Sequence, residues 1–175
     1  MITILCDKAA SVQGLSMYER LVEAQRDIRY FDLGNMEIAP CYACRGCEEK
    51  TYGRCVVRDD ADIILPCLMR SSIIAVLTPI VFGGYSFQTK RVVDKFNLIG
   101  DRHYYYRNGE LTKRLPPGTR YYVVCIHNGA DRGEIKAFKQ LVTETITIGS
   151  WEGKPIVIPD ETDDFDNLIR EMAGI

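Results

Sequence analysis

The chain has 175 residues, 46% of them hydrophobic and 26% charged, the composition of one globular domain and not of a disordered or fibrous chain. A formal net charge of −2 gives no basic field for nucleic acid or an anionic membrane, and no apolar run approaches the ~20 residues of a membrane span. Seven cysteines is an odd number and the opening MITILC is too short for a secretory leader, so a reduced, cytoplasmic setting is expected, where clustered cysteines mean metal or catalysis.

Ile2 to Cys6 is a short apolar run and reads as a buried first strand. The loop DKAASVQGL follows, then a helix from about Ser16 to Arg26, opened by a Ser16/Glu19 capping box, with Leu15, Leu21 and Val22 as its apolar stripe. Ile28 to Leu33 reads as a second, outer strand, ended by Gly34 to Pro40.

Four of the seven cysteines then fall within fifteen residues, as Cys41-x2-Cys44-x2-Cys47-x7-Cys55. They stand among Arg45, Glu48, Glu49, Lys50 and Arg54, so hydrophobic burial explains them poorly. Soft thiolates select Fe–S clusters, zinc or Cu(I). Two-residue gaps let a short loop wrap three corners of a compact cluster, with Cys55 as the fourth ligand, as in the C-x2-C-x2-C run of ferredoxins. Structural zinc more often pairs two separated knuckles. A [4Fe–4S] cluster is the first reading; zinc and a metal-free thiol loop are the alternatives. Cys6, Cys125 and Cys67 read as small core residues.

Asp59 and Asp60, read as solvated charges of which one caps, open a helix carrying Ile63, Ile64, Cys67 and Leu68, with Pro66 expected to kink or split it. Ile73 to Leu77 is apolar throughout and reads as the central strand. The loop to Ser86, an N-cap, leads to a helix over about 87–98 with Phe87, Val92, Val93 and Phe96. Residues 99 to 118 show no period and look like a long excursion, with Tyr104 to Tyr106 covering a ligand edge or interface, or simply packing. Tyr121 to Ile126 is another buried strand, and Asp131/Glu134 is a second capping box before a helix with Phe138 and Val142. Pro155 to Ile158 reads as the last strand and Asp163 to Met172 as the closing helix.

Five strands separated by helices predict an α/β domain with a doubly wound parallel sheet, order 2-1-3-4-5. The whole chain, 1–175, is read as one domain, with the cysteine-cluster loop 41–58 inserted after the second strand. Ligands of such sheets bind beyond the strand C-termini at the switch between strands 1 and 3. The loops 7–15, 78–86 and 127–132 should rise at one edge, with the cysteine loop beside them.

The run Cys41 to Asp60, with a glycine before its fourth cysteine and Asp59-Asp60 after it, resembles the cysteine motif of the iron–sulfur flavoproteins. TPIVFGGYSFQTKRVVDK, residues 78 to 95, is similar to the flavin-binding loop and helix of NADPH-dependent FMN reductase-like proteins with the flavodoxin-like fold, through Pro79, Phe82, Gly83, Gly84, Ser86, Gln88, Lys90 and Asp94. The resemblance implies FMN at the switch point, a [4Fe–4S] cluster on Cys41, Cys44, Cys47 and Cys55, and a homodimer or homotetramer. The isoalloxazine would lie against Pro79, Ile80, Val81, Phe82, Gly83, Gly84 and Ser86, with His127, Asn128 and Gly129 on its other side. Lys8, Ser11, Gln13, Gly14 and Ser16 would face the phosphate. The family's phosphate loop is a G-S-P-R type; here CDKAASVQGLS puts Asp7 where the first hydroxyl donor stands and has no Pro-Arg pair. A carboxylate there repels a phosphate, and Ser in its place is expected to tighten FMN at least tenfold.

The function these readings support is an NAD(P)H-dependent, flavin reductase-like oxidoreductase whose cluster couples two-electron to one-electron transfer. No side chain is assigned as a catalytic acid or base. The electron donor is NAD(P)H or a ferredoxin-like protein; no nucleic acid and no membrane take part. The alternatives are a non-enzymatic FMN/Fe–S electron carrier and a cofactor-poor protein with structural zinc in the cysteine loop.

Overall fold

The structure, a computed structural model, describes residues 1–99, 104–107, 109–113, 118–161 and 165–174. Its main sheet has five parallel strands: β1 (Ile2–Cys6), β2 (Ile28–Asp32), β3 (Ile73–Pro79), β6 (Arg120–His127) and β7 (Glu152–Pro159). They run in the order β2-β1-β3-β6-β7, the expected 2-1-3-4-5 renumbered because a hairpin intervenes. That hairpin, β4 (Tyr104–Arg107) with β5 (Glu110–Lys113), falls in the stretch 99–118, where no regular structure was expected. It escapes pattern reading because Tyr104, Tyr105 and Tyr106 hide the alternation of a half-exposed strand. His103, Pro116 and Pro117 lie outside the described residues.

The apolar runs are continuous because both faces of the sheet are covered. Ile74 and Val76 of β3, with Tyr121, Val123 and Cys125 of β6, pack under α3 (Ala61–Arg70), α4 (Phe87–Val93) and α5 (Arg132–Gly149), which contribute Leu68, Val92 and Phe138. Ile73, Ala75 and Leu77, with Tyr122, Val124 and Ile126, pack under α1 (Ser11–Glu23) and α6 (Asp166–Ala173), through Met17, Leu21, Leu168 and Met172. Each fully buried Val, Leu, Ile, Phe or Met among them contributes about 1.5–3 kcal/mol of hydrophobic stabilisation.

Several element boundaries differ from the expectation. α1 starts at Ser11, not Ser16, so Ser16 lies inside the helix and no capping box forms there. The Lys8–Ala10 3-10 turn, capped by Asp7, runs directly into it. Its buried stripe is Ala10, Gln13, Gly14, Met17 and Leu21, a helical i, i+3, i+4 spacing that leaves Leu15 and Val22 exposed. α3 runs unbroken through Pro66, with Ile63 facing out and Cys67 only half-buried. The helix expected over 87–98 is shorter: α4 stops at Val93 and a 3-10 turn, Phe96–Leu98, follows, while Phe87 is exposed and carries the Arg91 guanidinium over its ring. The Asp131 capping box forms as expected, with Glu134 as its reciprocal partner. The expected start of the closing helix, Asp163, lies outside the described residues, and α6 runs from Asp166.

Candidate functional site

β1 and β3 are neighbours, but the chain leaves β1 for α1 on one face and β3 for α4 on the other, which creates a switch point at their C-terminal edge. The turns after β1, β3 and β6 all rise at this edge, because the three strands are parallel.

After β1 the chain turns at once. Asp7 is 3% exposed, and its carboxylate is spent internally. Oδ1 accepts from Ala9 N–H at 2.8 Å; Oδ2 accepts from the Ser86 hydroxyl and from Thr89 Oγ1 at 3.4 Å. Of the residues expected to face a phosphate, Gln13 instead donates to the carbonyl of Asp160 at 2.6 Å. Gly14 lies flat on β1, where a Cβ would come within 2.3 Å of Cys6 Sγ, so it is a glycine for helix–strand packing. Ser16 sits within α1, more than a turn from its start. Only Lys8 and Ser11 remain near the turn, Lys8 exposed and Ser11 half-buried.

After β3, Val81 and Gly84 exchange backbone bonds of 3.1 and 2.9 Å and close a two-residue turn. Its central residues, Phe82 and Gly83, have φ of 50° and 72°, the pattern of a type I′ turn. Gly adopts this freely, but a phenylalanine held left-handed is an outlier costing about 1 kcal/mol or more. The turn holds Phe82 at 96% exposure, with Val81 beside it half in solvent. Pro79 and Ile80 lie below, half-buried, and Ser86 caps α4 through Thr89 N–H at 3.1 Å. Across the edge, His127 ends β6, and its Nδ1 is buried with no hydrogen-bond partner among the described residues. Asn128 and Gly129 are exposed beyond it.

The cysteine loop has its own foundation. Glu37 N–H donates to Asp60 Oδ2 at 2.7 Å and Asp60 N–H to the Glu37 carbonyl at 3.1 Å. Asp59 takes Ala39 N–H at 2.9 Å, Ala61 N–H at 3.0 Å and the buried ammonium of Lys95. Burial raises the Asp59 carboxyl, but Lys95 and the two N–H donors outweigh it and hold it below its ordinary value. Asp59 was expected to be solvated; it is a buried staple that closes the loop, and Lys95 gave no local signal because its partner lies 36 residues away.

Cys41, Cys44, Cys47 and Cys55 line one cavity of about 110 Å³, with Asp94, Lys95, Asn97 and Leu98 on its other wall. Gly46 opens the single-turn helix α2 (Gly46–Glu49) and lets the loop fold this tightly, since a Cβ there would meet Val56 Cγ1 at 2.5 Å. Ala43 and Arg45 flank Cys44 with φ of 52° and 58°, left-handed backbone on both sides of that cysteine. Cys41 and Cys44 are exposed; Cys47 and Cys55 are half-buried, and burial pushes the Cys47 thiol up. Among the described residues no three His, Cys, Asp or Glu side chains stand close enough to hold a metal ion. Thiols have little attraction for one another, and four of them close up only around an ion. The donor set, the shared cavity and Gly46 nonetheless fit a thiolate-held group.

The cavity is not lined by residues of the switch-point turns, beside which the loop was expected. It lies at the C-terminal end of α4, about 10 Å of helix from the Ser86 cap. Tyr104 of β4 donates to Asn97 Oδ1 at 2.9 Å and, with Phe96 and Trp151, lines a second cavity that shares Asn97 with the cysteine cavity and includes no residue of the β3 turn.

No family model matches the chain. An iron-sulfur flavoprotein of Methanosarcina thermophila is 32% identical over 76 residues, which are 43% of this chain and 39% of that protein. The resemblance is to the iron–sulfur flavoproteins. The matched stretch spans about two fifths of that relative's length. Among solved structures, an NAD(P)H:quinone oxidoreductase from Methanothermobacter marburgensis superposes with a TM-score of 0.66 at 15% identity, over 99% of this chain and 93% of its own. An FMN-dependent NADH-azoreductase from Bacillus anthracis, in complex with FMN, gives 0.65 at 12% identity, over 99% and 94%. These likenesses establish the flavodoxin-like α/β fold.

Proposed function

We propose that this chain is a flavin-dependent oxidoreductase of the NAD(P)H-dependent FMN reductase type, with a [4Fe–4S] cluster on Cys41, Cys44, Cys47 and Cys55. The observation that carries the flavin reading is the strained β3 turn, which holds Phe82 and Gly83 open at the switch point of the sheet. Pro79 to Ser86 would hold the ring, with His127 to Gly129 opposite. The turn after β1 does not fit the phosphate end of FMN, because its donors are already taken. Four cysteines on one cavity support the cluster.

A bound flavin takes up two electrons at once, and a thiolate-held cluster passes them singly. The chain's own residues supply placement. Ser86 and Asp7 fix the β3 turn against β1, while Asp59 and Lys95 anchor the cysteine loop. Because the cavity and the β3 turn lie at opposite ends of α4, a second copy of the chain, in a homodimer or homotetramer, would bring the two sites together. NAD(P)H or a ferredoxin-like protein is the proposed electron donor.

Protein purified without oxygen should contain iron and acid-labile sulfide, quench flavin fluorescence at micromolar concentration, and oxidise NAD(P)H when a quinone is supplied. Cys44→Ser should abolish iron uptake and leave the fold intact. Reversible reduction without turnover would instead make it an electron carrier. Stoichiometric zinc, no sulfide and no flavin binding would overturn the proposal in favour of a structural zinc loop, the reading that the occupied turn after β1 favours.

A further inference from the structure

The turn after β1 is closed from within. Each of its four amides has a partner in the chain: Lys8 N–H donates to Gln88 Oε1 at 3.3 Å, Ala9 N–H to Asp7 Oδ1 at 2.8 Å, Ala10 N–H to the Asp7 carbonyl at 2.9 Å, and Ser11 N–H to the Lys8 carbonyl. A phosphate at a helix start depends on such amides being free. Here the anion is already present, as the carboxylate of Asp7. Its second oxygen reaches across the switch point to the hydroxyls of Ser86 and Thr89 at the head of α4. One buried carboxylate therefore takes the Ala9 amide of the turn after β1 and fastens the start of α4, directly below the β3 turn. A dianion arriving there would meet a like charge and no unspent amide between Lys8 and Ser11.

We propose that Asp7 is a specificity-determining residue that fills the phosphate subsite internally, so that the switch point takes a flavin without a phosphate, of the riboflavin class, at least as tightly as FMN. This rests on the flavin reading above. Recognition then comes from the β3 turn and the end of β6, which meet the ring.

The test uses the full chain freed of flavin and titrated with riboflavin, FMN and inorganic phosphate, read by flavin fluorescence and by amide shifts in 1H–15N spectra. Riboflavin should bind as tightly as FMN or tighter. The amides of Gly83 and Gly84 should move with both flavins, and those of Ala9 to Ser11 with neither. Asp7→Ser should raise the affinity for FMN relative to that for riboflavin at least tenfold. Inorganic phosphate should move the Ala9 to Ser11 amides in that variant only. If Asp7→Ser does not fold, Asp7→Asn, which keeps an acceptor for Ala9 and removes the charge, should shift the preference toward FMN in the same direction. FMN binding tenfold tighter than riboflavin in the wild type, with Ala9 to Ser11 moving, would overturn the assignment and leave the flavin reading standing. If neither flavin moves Gly83 or Gly84, the flavin reading fails, and the phosphate arm still decides on Asp7: shifts at Ala9 to Ser11 in the wild type overturn it, and shifts only in the variant sustain it.

Discussion

Lys95 donates its ammonium to the carboxylate of Asp59 with both side chains buried, at 1% and 8% exposure. A buried pair of this kind adds little net stability over an apolar pair, but removing one partner strands the other's charge. Lys95→Met should therefore destabilise the protein by about 3 kcal/mol, read as a lower urea midpoint with unchanged slope. Pairing it with Asp59→Asn should recover part of the loss. A double variant no more stable than Lys95→Met would show that the two groups do not act together.

The same pair sets an acid limit. The folded Asp59 carboxyl is held below its unfolded value, so its contribution is present above the unfolded pKa of about 3.9 and is lost as pH falls through the folded one. Below about pH 4 the base of the cysteine loop should open before the sheet does. Amide exchange at Ala39 and Ala61 against that at Val76 checks it, and uniform loss across all three would contradict it.

Gly14 should prove to be a packing residue. Gly14→Ala drives a methyl toward Cys6 Sγ and should cost about 1–3 kcal/mol in thermal or urea unfolding, whether or not a ligand is present. A variant of wild-type stability with altered flavin binding would return Gly14 to the ligand site.

Thiol reactivity should follow burial. Cys41 and Cys44 are exposed, whereas burial lifts Cys6 to about 11 and Cys125 to about 12, so both stay protonated at pH 8. Alkylation of metal-free protein should label Cys41 and Cys44 first, Cys47 more slowly, and Cys6 and Cys125 only on unfolding. Iron loading should protect the four loop cysteines together. Labelling of Cys6 in the folded state would contradict the close packing of α1 on β1.

The sheet was legible in the sequence because its signals are local. Ile73 to Leu77 and Tyr121 to Ile126 are apolar at every step, which only a strand covered on both faces allows, and Asp131 with Glu134 announces α5 within four residues. The cysteine spacing is equally local, and the four thiols line one cavity. What only the tertiary structure decided are contacts between residues far apart in the chain. Asp7 reads as a misplaced charge until Ser86, 79 residues later, is seen donating to it, while its other oxygen caps the 3-10 turn that runs into α1. Lys95, within the helix expected over 87–98, shows no partner in the sequence until Asp59 lies against it. A charged side chain carries no periodic signature of its partner, because the free energy of burying it depends on where another part of the chain has been brought by the packing of the sheet.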